Sequence, residues 1–99
     1  MAVPRTDYET IAASQTDQAM GPVGAAGDVL ERLIIVPATT AAGTVSIKDG
    51  SGSAINVFVA GTLSDLSTIV IPIGARSTSG AWKVTTGANV SVIAVGRFT

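Results

Sequence analysis

Residues 29–37 read Val29-Leu30-Glu31-Arg32-Leu33-Ile34-Ile35-Val36-Pro37, and the way this run folds decides the class of the whole chain. Asp28 is a candidate helix N-cap, and Leu30, Glu31 and Leu33 follow at spacings a helix could use. The block Leu33-Ile34-Ile35-Val36 argues the other way. Branched side chains are stiff in a helix and pack well on a pleated surface, and Pro37 pushes the residue before it toward extended backbone. The run predicts a strand over 29–36. Its two faces are Val29, Glu31, Leu33, Ile35 and Leu30, Arg32, Ile34, Val36. Both are mainly apolar, which predicts burial on both sides or a subunit contact on one.

Toward the C-terminus the same rhythm repeats. Residues 44–48 alternate, with Val45 and Ile47 inward and Ser46 and Lys48 outward. Residues 55–60 place Ile55, Val57 and Val59 on one face, Asn56 and Phe58 on the other. Between them Asp49-Gly50-Ser51-Gly52-Ser53 supplies glycine where a turn needs positive φ, so the two runs predict a hairpin. Residues 68–73 align Ile69, Ile71 and Ile73; Pro72 has no N–H and predicts an edge strand or a bulge. Residues 81–86 put Trp82 and Val84 on one face, Lys83 and Thr85 on the other. Gly87-Ala88-Asn89 leads into 90–98, where Val90, Val92, Ala94 and Phe98 alternate with Ser91, Ile93, Val95 and Arg97. These last two runs predict a second hairpin. Toward the N-terminus, 7–13 is a short strand or an arm, and 15–27 is a loop rich in Gly, Ala and Gln. The expected fold is all-β: one antiparallel β-sandwich or jelly-roll-like barrel of six to eight short strands (residues 28–99), preceded by an N-terminal arm (residues 1–27).

The chain has 99 residues, 46% hydrophobic and 13% charged, with a formal charge of −1 and no Cys or His. That length suits one domain. Without Cys there is no disulfide, thiolate zinc site or Cys nucleophile, and without His no serine triad. Asp7, Glu9, Asp17, Asp28, Glu31, Asp49 and Asp65 are scattered singly, so no acid/base pair is visible and no enzyme is expected. The balanced charge, with Arg5, Arg32, Arg76 and Arg97 dispersed, gives no long-range attraction to nucleic acid or an anionic membrane. No small-molecule substrate, cofactor or metal is expected. No secretory signal is read at the start of the chain, which points to a protein made in the cytoplasm.

Several strings invite a sharper reading. Asp49-x-Ser51-x-Ser53 resembles the metal-coordinating signature of von Willebrand A-type adhesion domains, but it leads into another strand, where a hairpin turn is the simpler account. Gly21-x-x-Gly24-x-x-Gly27 lacks the spacing of a dinucleotide loop and the lysine of a P-loop. Asn89-Val90-Ser91 matches a glycosylation acceptor by chance. Trp82 is either a core anchor or a stacking platform.

The scarcity of charge carries a positive inference. Charged residues usually make up about 25% of a soluble domain, and a chain this size leaves roughly a third of its unfolded surface exposed. Small and apolar residues must cover that surface here. The surplus apolar faces predict contact with another chain over about 2,000 Å² or more. The candidate contact residues are Tyr8, Ile11 and Met20 from the arm, and Leu30, Ile34, Val36, Ile93 and Val95 from the two most apolar strands.

Three longer strings carry a family resemblance: residues 11–28 (Ile-Ala-Ala-Ser-Gln-Thr-Asp-Gln-Ala-Met-Gly-Pro-Val-Gly-Ala-Ala-Gly-Asp), 33–39 with 45–50 (Leu-Ile-Ile-Val-Pro-Ala-Thr and Val-Ser-Ile-Lys-Asp-Gly), and 73–90 (Ile-Gly-Ala-Arg-Ser-Thr-Ser-Gly-Ala-Trp-Lys-Val-Thr-Thr-Gly-Ala-Asn-Val). They resemble small structural proteins encoded in the virion-gene region of tailed bacteriophages, over most of the chain from Tyr8 onward. The resemblance implies a virion part without catalytic residues, with itself and the major capsid protein or another virion protein as partners. The expected role is a head decoration (cement) protein, a homo-oligomer such as a trimer on the capsid surface, with residues 4–27 as docking arm. A neck, tail or fibre position is the alternative. A carbohydrate-binding β-sandwich is a third reading, for which Tyr8, Phe58, Trp82 and Phe98 are the available aromatics.

Overall fold

A computed structural model describes residues 6–60 and 66–99. These form eight strands: β1 (Asp7–Ile11), β2 (Gln18–Ala19), β3 (Val29–Pro37), β4 (Val45–Asp49), β5 (Ile55–Phe58), β6 (Ile69–Arg76), β7 (Trp82–Thr86) and β8 (Val90–Arg97). Two antiparallel four-stranded sheets result, one ordered β1-β8-β3-β6 and the other β2-β7-β4-β5. The all-β sandwich expectation therefore holds. The pairs β1·β8, β2·β7, β3·β6 and β4·β5 are nested. The chain is thus a long two-stranded ribbon, turned at the β4–β5 hairpin and rolled so that alternate pairs fall in opposite sheets. That strand order is the one that defines a jelly roll.

The inward residues of both sheets meet in one core. Leu33, Ile35, Val45, Val84 and Val90 are fully buried, with Trp82 and Phe98 at the end where Asp28 sits. The predicted inward sets Val45/Ile47, Trp82/Val84 and Val90/Val92/Ala94 all lie there. The β4–β5 hairpin forms as expected, with Gly50 at φ 56°. Pro72 sits on β6, an edge strand, as its missing N–H predicts.

Three expectations need correction. The arm is not separate: β1 pairs with β8 (Tyr8↔Val95), β2 pairs with β7 (Gln18↔Val84), and Ile11 and Met20 are fully buried in the common core. Two short segments gain enough apolar contact by completing an edge of each sheet to be held in the body. Glu9 fastens them together, accepting from Gly21 N at 2.8 Å and Gln18 Nε2 at 3.2 Å. Second, β7 and β8 are not a hairpin, because residues 87–89 carry the chain from one sheet to the other. Third, Leu30 does not share a face with Ile34 and Val36. A bulge between Leu30 and Arg32 inserts Glu31 as an extra residue, so Leu30 turns inward with Leu33 and Ile35.

Loops gather at the two ends of the sandwich. Residues 12–17, 38–44 and 87–89 share one end, joined by Ser14 N to Gly87 O at 2.9 Å and Gly43 N to Ala88 O at 2.8 Å. At the other end lie 20–28, 50–54 and 77–81, joined by Gly27 N to Ser77 O at 2.9 Å and Gly50 N to Ala81 O at 3.0 Å.

Candidate interaction face

Side chains directly opposite one another on paired strands project to the same side of a sheet, so register alone composes the outer faces. On the β1-β8-β3-β6 sheet one outward row runs Thr10, Ile93, Ile34, Val70 across all four strands. The next row runs Tyr8, Val95, Arg32, Pro72. Val36 stands beside Ser91 in the row beyond. Ile34, Val36 and Ile93 are half-buried by their neighbours, while Tyr8 is 73% and Val70 57% exposed. The centre of this face is a continuous apolar field of branched side chains.

The opposite sheet presents different chemistry outward. Its rows are Ala19, Lys83, Lys48 and, beside them, Thr85, Ser46, Asn56. Two lysines directly across from each other repel. Asp17 answers them: its carboxylate accepts Lys48 Nζ at 3.1 Å and Thr85 Oγ1 at 3.2 Å. The Lys48 ammonium, helped by the Thr85 hydroxyl, holds the Asp17 carboxyl below its ordinary value. This face suits water.

The candidate contact residues divide accordingly. Tyr8, Ile34, Val36, Ile93 and Val95 come together on the apolar outer face, Val95 being largely covered at 7% exposure. Ile11, Met20 and Leu30 are at 0% exposure inside the core and are removed from the set. Val70 was missed. It lies between Ile69 and Ile71, and its off-face position in that alternating run was the available signal.

The remaining strings are structural. Both oxygens of Asp49 are occupied by donors of the 77–81 loop: Thr78 N at 2.8 and 2.9 Å, Thr78 Oγ1 at 2.8 Å and Ser79 N at 3.0 Å. These donors, the Ser79 and Thr78 amides first, hold the Asp49 carboxyl below its ordinary value. Its role is to staple two loops. Among the described residues no cluster of three or more acids could hold a metal ion. Gly21, Gly24 and Gly27 have φ of 87°, 71° and 97°, a conformation that side chains rarely adopt, which accounts for their spacing as backbone geometry. Trp82 is 5% exposed and donates Nε1 to Asp28 O at 3.0 Å, so it anchors the core.

No protein-family model matches the chain, and no curated protein or solved structure matches it.

Proposed function

We propose that the chain is a non-enzymatic structural protein of a tailed-phage virion, decorating the outer surface of the head as a homo-oligomer and tying neighbouring capsomers together. The observation that carries this reading is the contrast between the two outer sheet faces. One is Lys, Asp, Thr, Ser and Asn; the other is dominated by Ile34, Ile93, Val36, Val70, Val95 and Tyr8, with Thr10 and Ser91 among them and Arg32, Arg76 and Arg97 toward one end. Two faces equally bound for water would not differ this way, and a large apolar face marks a contact with another chain. The sequence strings that resemble small phage virion proteins supply the setting. On this reading the work is adhesion: weak contacts from several subunits add on a repeating lattice. Since residues 7–20 are built into the sandwich, the contact is assigned to the outer face of the β1-β8-β3-β6 sheet rather than to an arm.

The test is association. Sedimentation of the purified chain should show a discrete oligomer, and Ile34→Lys with Ile93→Lys should give a monomer with an unchanged far-ultraviolet spectrum. A wild-type chain that sediments as a monomer at every concentration overturns the oligomer. A cryo-EM map of the virion that carries the chain should place it on the head shell; density in the neck, tail or fibre base instead overturns the decoration role.

A further inference from the structure

The apolar face ends in charge that the sequence alone scatters. Arg76 on β6 and Arg97 on β8 both pair with Val29 on β3, one from each side. They lie in one outward row, about 10 Å apart across two strand spacings. Arg32 stands further along the same face, between Val95 and Pro72. All three are exposed. None of the three guanidinium groups has a hydrogen-bond or ion-pair partner among the described residues. Arg76 and Arg97 also line one open cleft with Asp7, Asp28, Val29 and Phe98. Asp28 is committed to Thr99 and Ala25 there, and Asp7 has a partner of its own.

We propose that this arginine end of the outer face docks a carboxylate-bearing surface of a different protein chain, which rests on the reading of that face as a contact surface. Guanidinium forks match carboxylates in planar, two-point geometry, and three unpaired ones at the rim of an apolar field fit a partner with an apolar centre and acids at one edge. A second copy laid face to face does not supply them. At the opposite end of the face loops 38–44 and 87–89 contain no Asp or Glu, and Asp17, the acid of loop 12–17, is committed to Lys48 and Thr85 of the other sheet; the other orientation sets arginine against arginine. Nucleic acid fits less well, because Glu31 sits beside Arg32 and the adjoining surface is apolar, without the basic track that phosphates follow.

The full-length chain, labelled with ¹⁵N, is titrated at low salt with poly-L-glutamate and, separately, with an oligothymidylate of equal charge. Poly-L-glutamate should shift the Nε–H signals of Arg32, Arg76 and Arg97. Binding should weaken at least about tenfold in an Arg76→Gln, Arg97→Gln variant, and should stay unchanged in Lys48→Gln, Lys83→Gln. Absence of binding, equal loss in the lysine variant, or tighter binding of the oligothymidylate overturns the proposal. So does an arginine variant whose sedimentation drops to monomer, since the groups would then serve self-contact. A monomeric wild type that still binds poly-L-glutamate sinks the oligomer and leaves this site standing; an oligomer that ignores poly-L-glutamate does the reverse.

Discussion

Asp28 is 5% exposed, yet every polar atom on it has work. Its carboxylate accepts Thr99 N at 3.1 Å, Thr99 Oγ1 at 3.0 Å and Ala25 N at 3.1 Å, while its carbonyl accepts Trp82 Nε1 at 3.0 Å and Ser77 N at 2.8 Å. One residue thereby ties the loop before β3, the residue after β8 and the Trp82 anchor. Removing the carboxylate strands donors in a nearly dry site. Asp28→Ala should lose about 2–3 kcal/mol of stability, read as a lower urea midpoint at unchanged slope. Asp49 and Asp17 make a second prediction, on pH. Both have carboxyls held below the ordinary value of 3.8, so the folded state binds protons less readily than the unfolded one. Their contribution is complete above about pH 4 and is lost as the pH falls through their lowered values. Thermal melts below pH 4 should show falling stability, and Asp49→Asn should flatten that acid limb while leaving the neutral region without pH dependence. A curve that stays equally steep in Asp49→Asn would count against the staple.

At the scale of elements, what could be read in advance was alternation. Val45 and Ile47, Trp82 and Val84, and Val90, Val92 and Ala94 announce their inward faces because a strand's period is fixed at two. Ile34, Val36, Ile93 and Val95 were legible as one outward face on the same ground, and Tyr8 joins them only through its pairing with Val95. The bulge at Glu31 was not, since its pairing with β8 decides it (Leu30↔Gly96, Arg32↔Val95) and β8 is not visible from 29–37 alone. That single insertion moved Leu30 from the contact set to the core. Ile11 and Met20 were misplaced because β1 and β2 are too short for periodicity to show. The 87–89 connection has the length of a hairpin turn, and only packing sends it across to the other sheet. The bulge gives a contrast to test. Deleting Glu31 brings Leu30 into regular alternation with Leu33 and Ile35, whereas deleting Ile34 sends Ile35 outward. The Glu31 deletion should keep a dispersed amide spectrum; the Ile34 deletion should lose it or melt at far lower temperature.

For the molecule as a whole, nested pairing makes nearly every contact distant in sequence. Among the strands that pair, only β4 and β5 are joined by a short turn, and Tyr8 must find Val95. Topologies of this kind fold on the millisecond-to-second scale because loops must close before their pairings reward them. Stopped-flow refolding should fall in that range, and a chain that refolds in microseconds would contradict the order of closure.

The rolled ribbon also brings the start of β1 beside the end of β8, with Asp7 opposite Gly96. A short linker from Thr6 to Thr99 and a cut within residues 50–54 would give a circular permutant that preserves every strand neighbour while starting and ending at the tip of the former hairpin. Anything fused to such a permutant would still leave from the end that carries the arginine cleft, where residues 50–54 gather with 20–28 and 77–81, but from the edge of the other sheet.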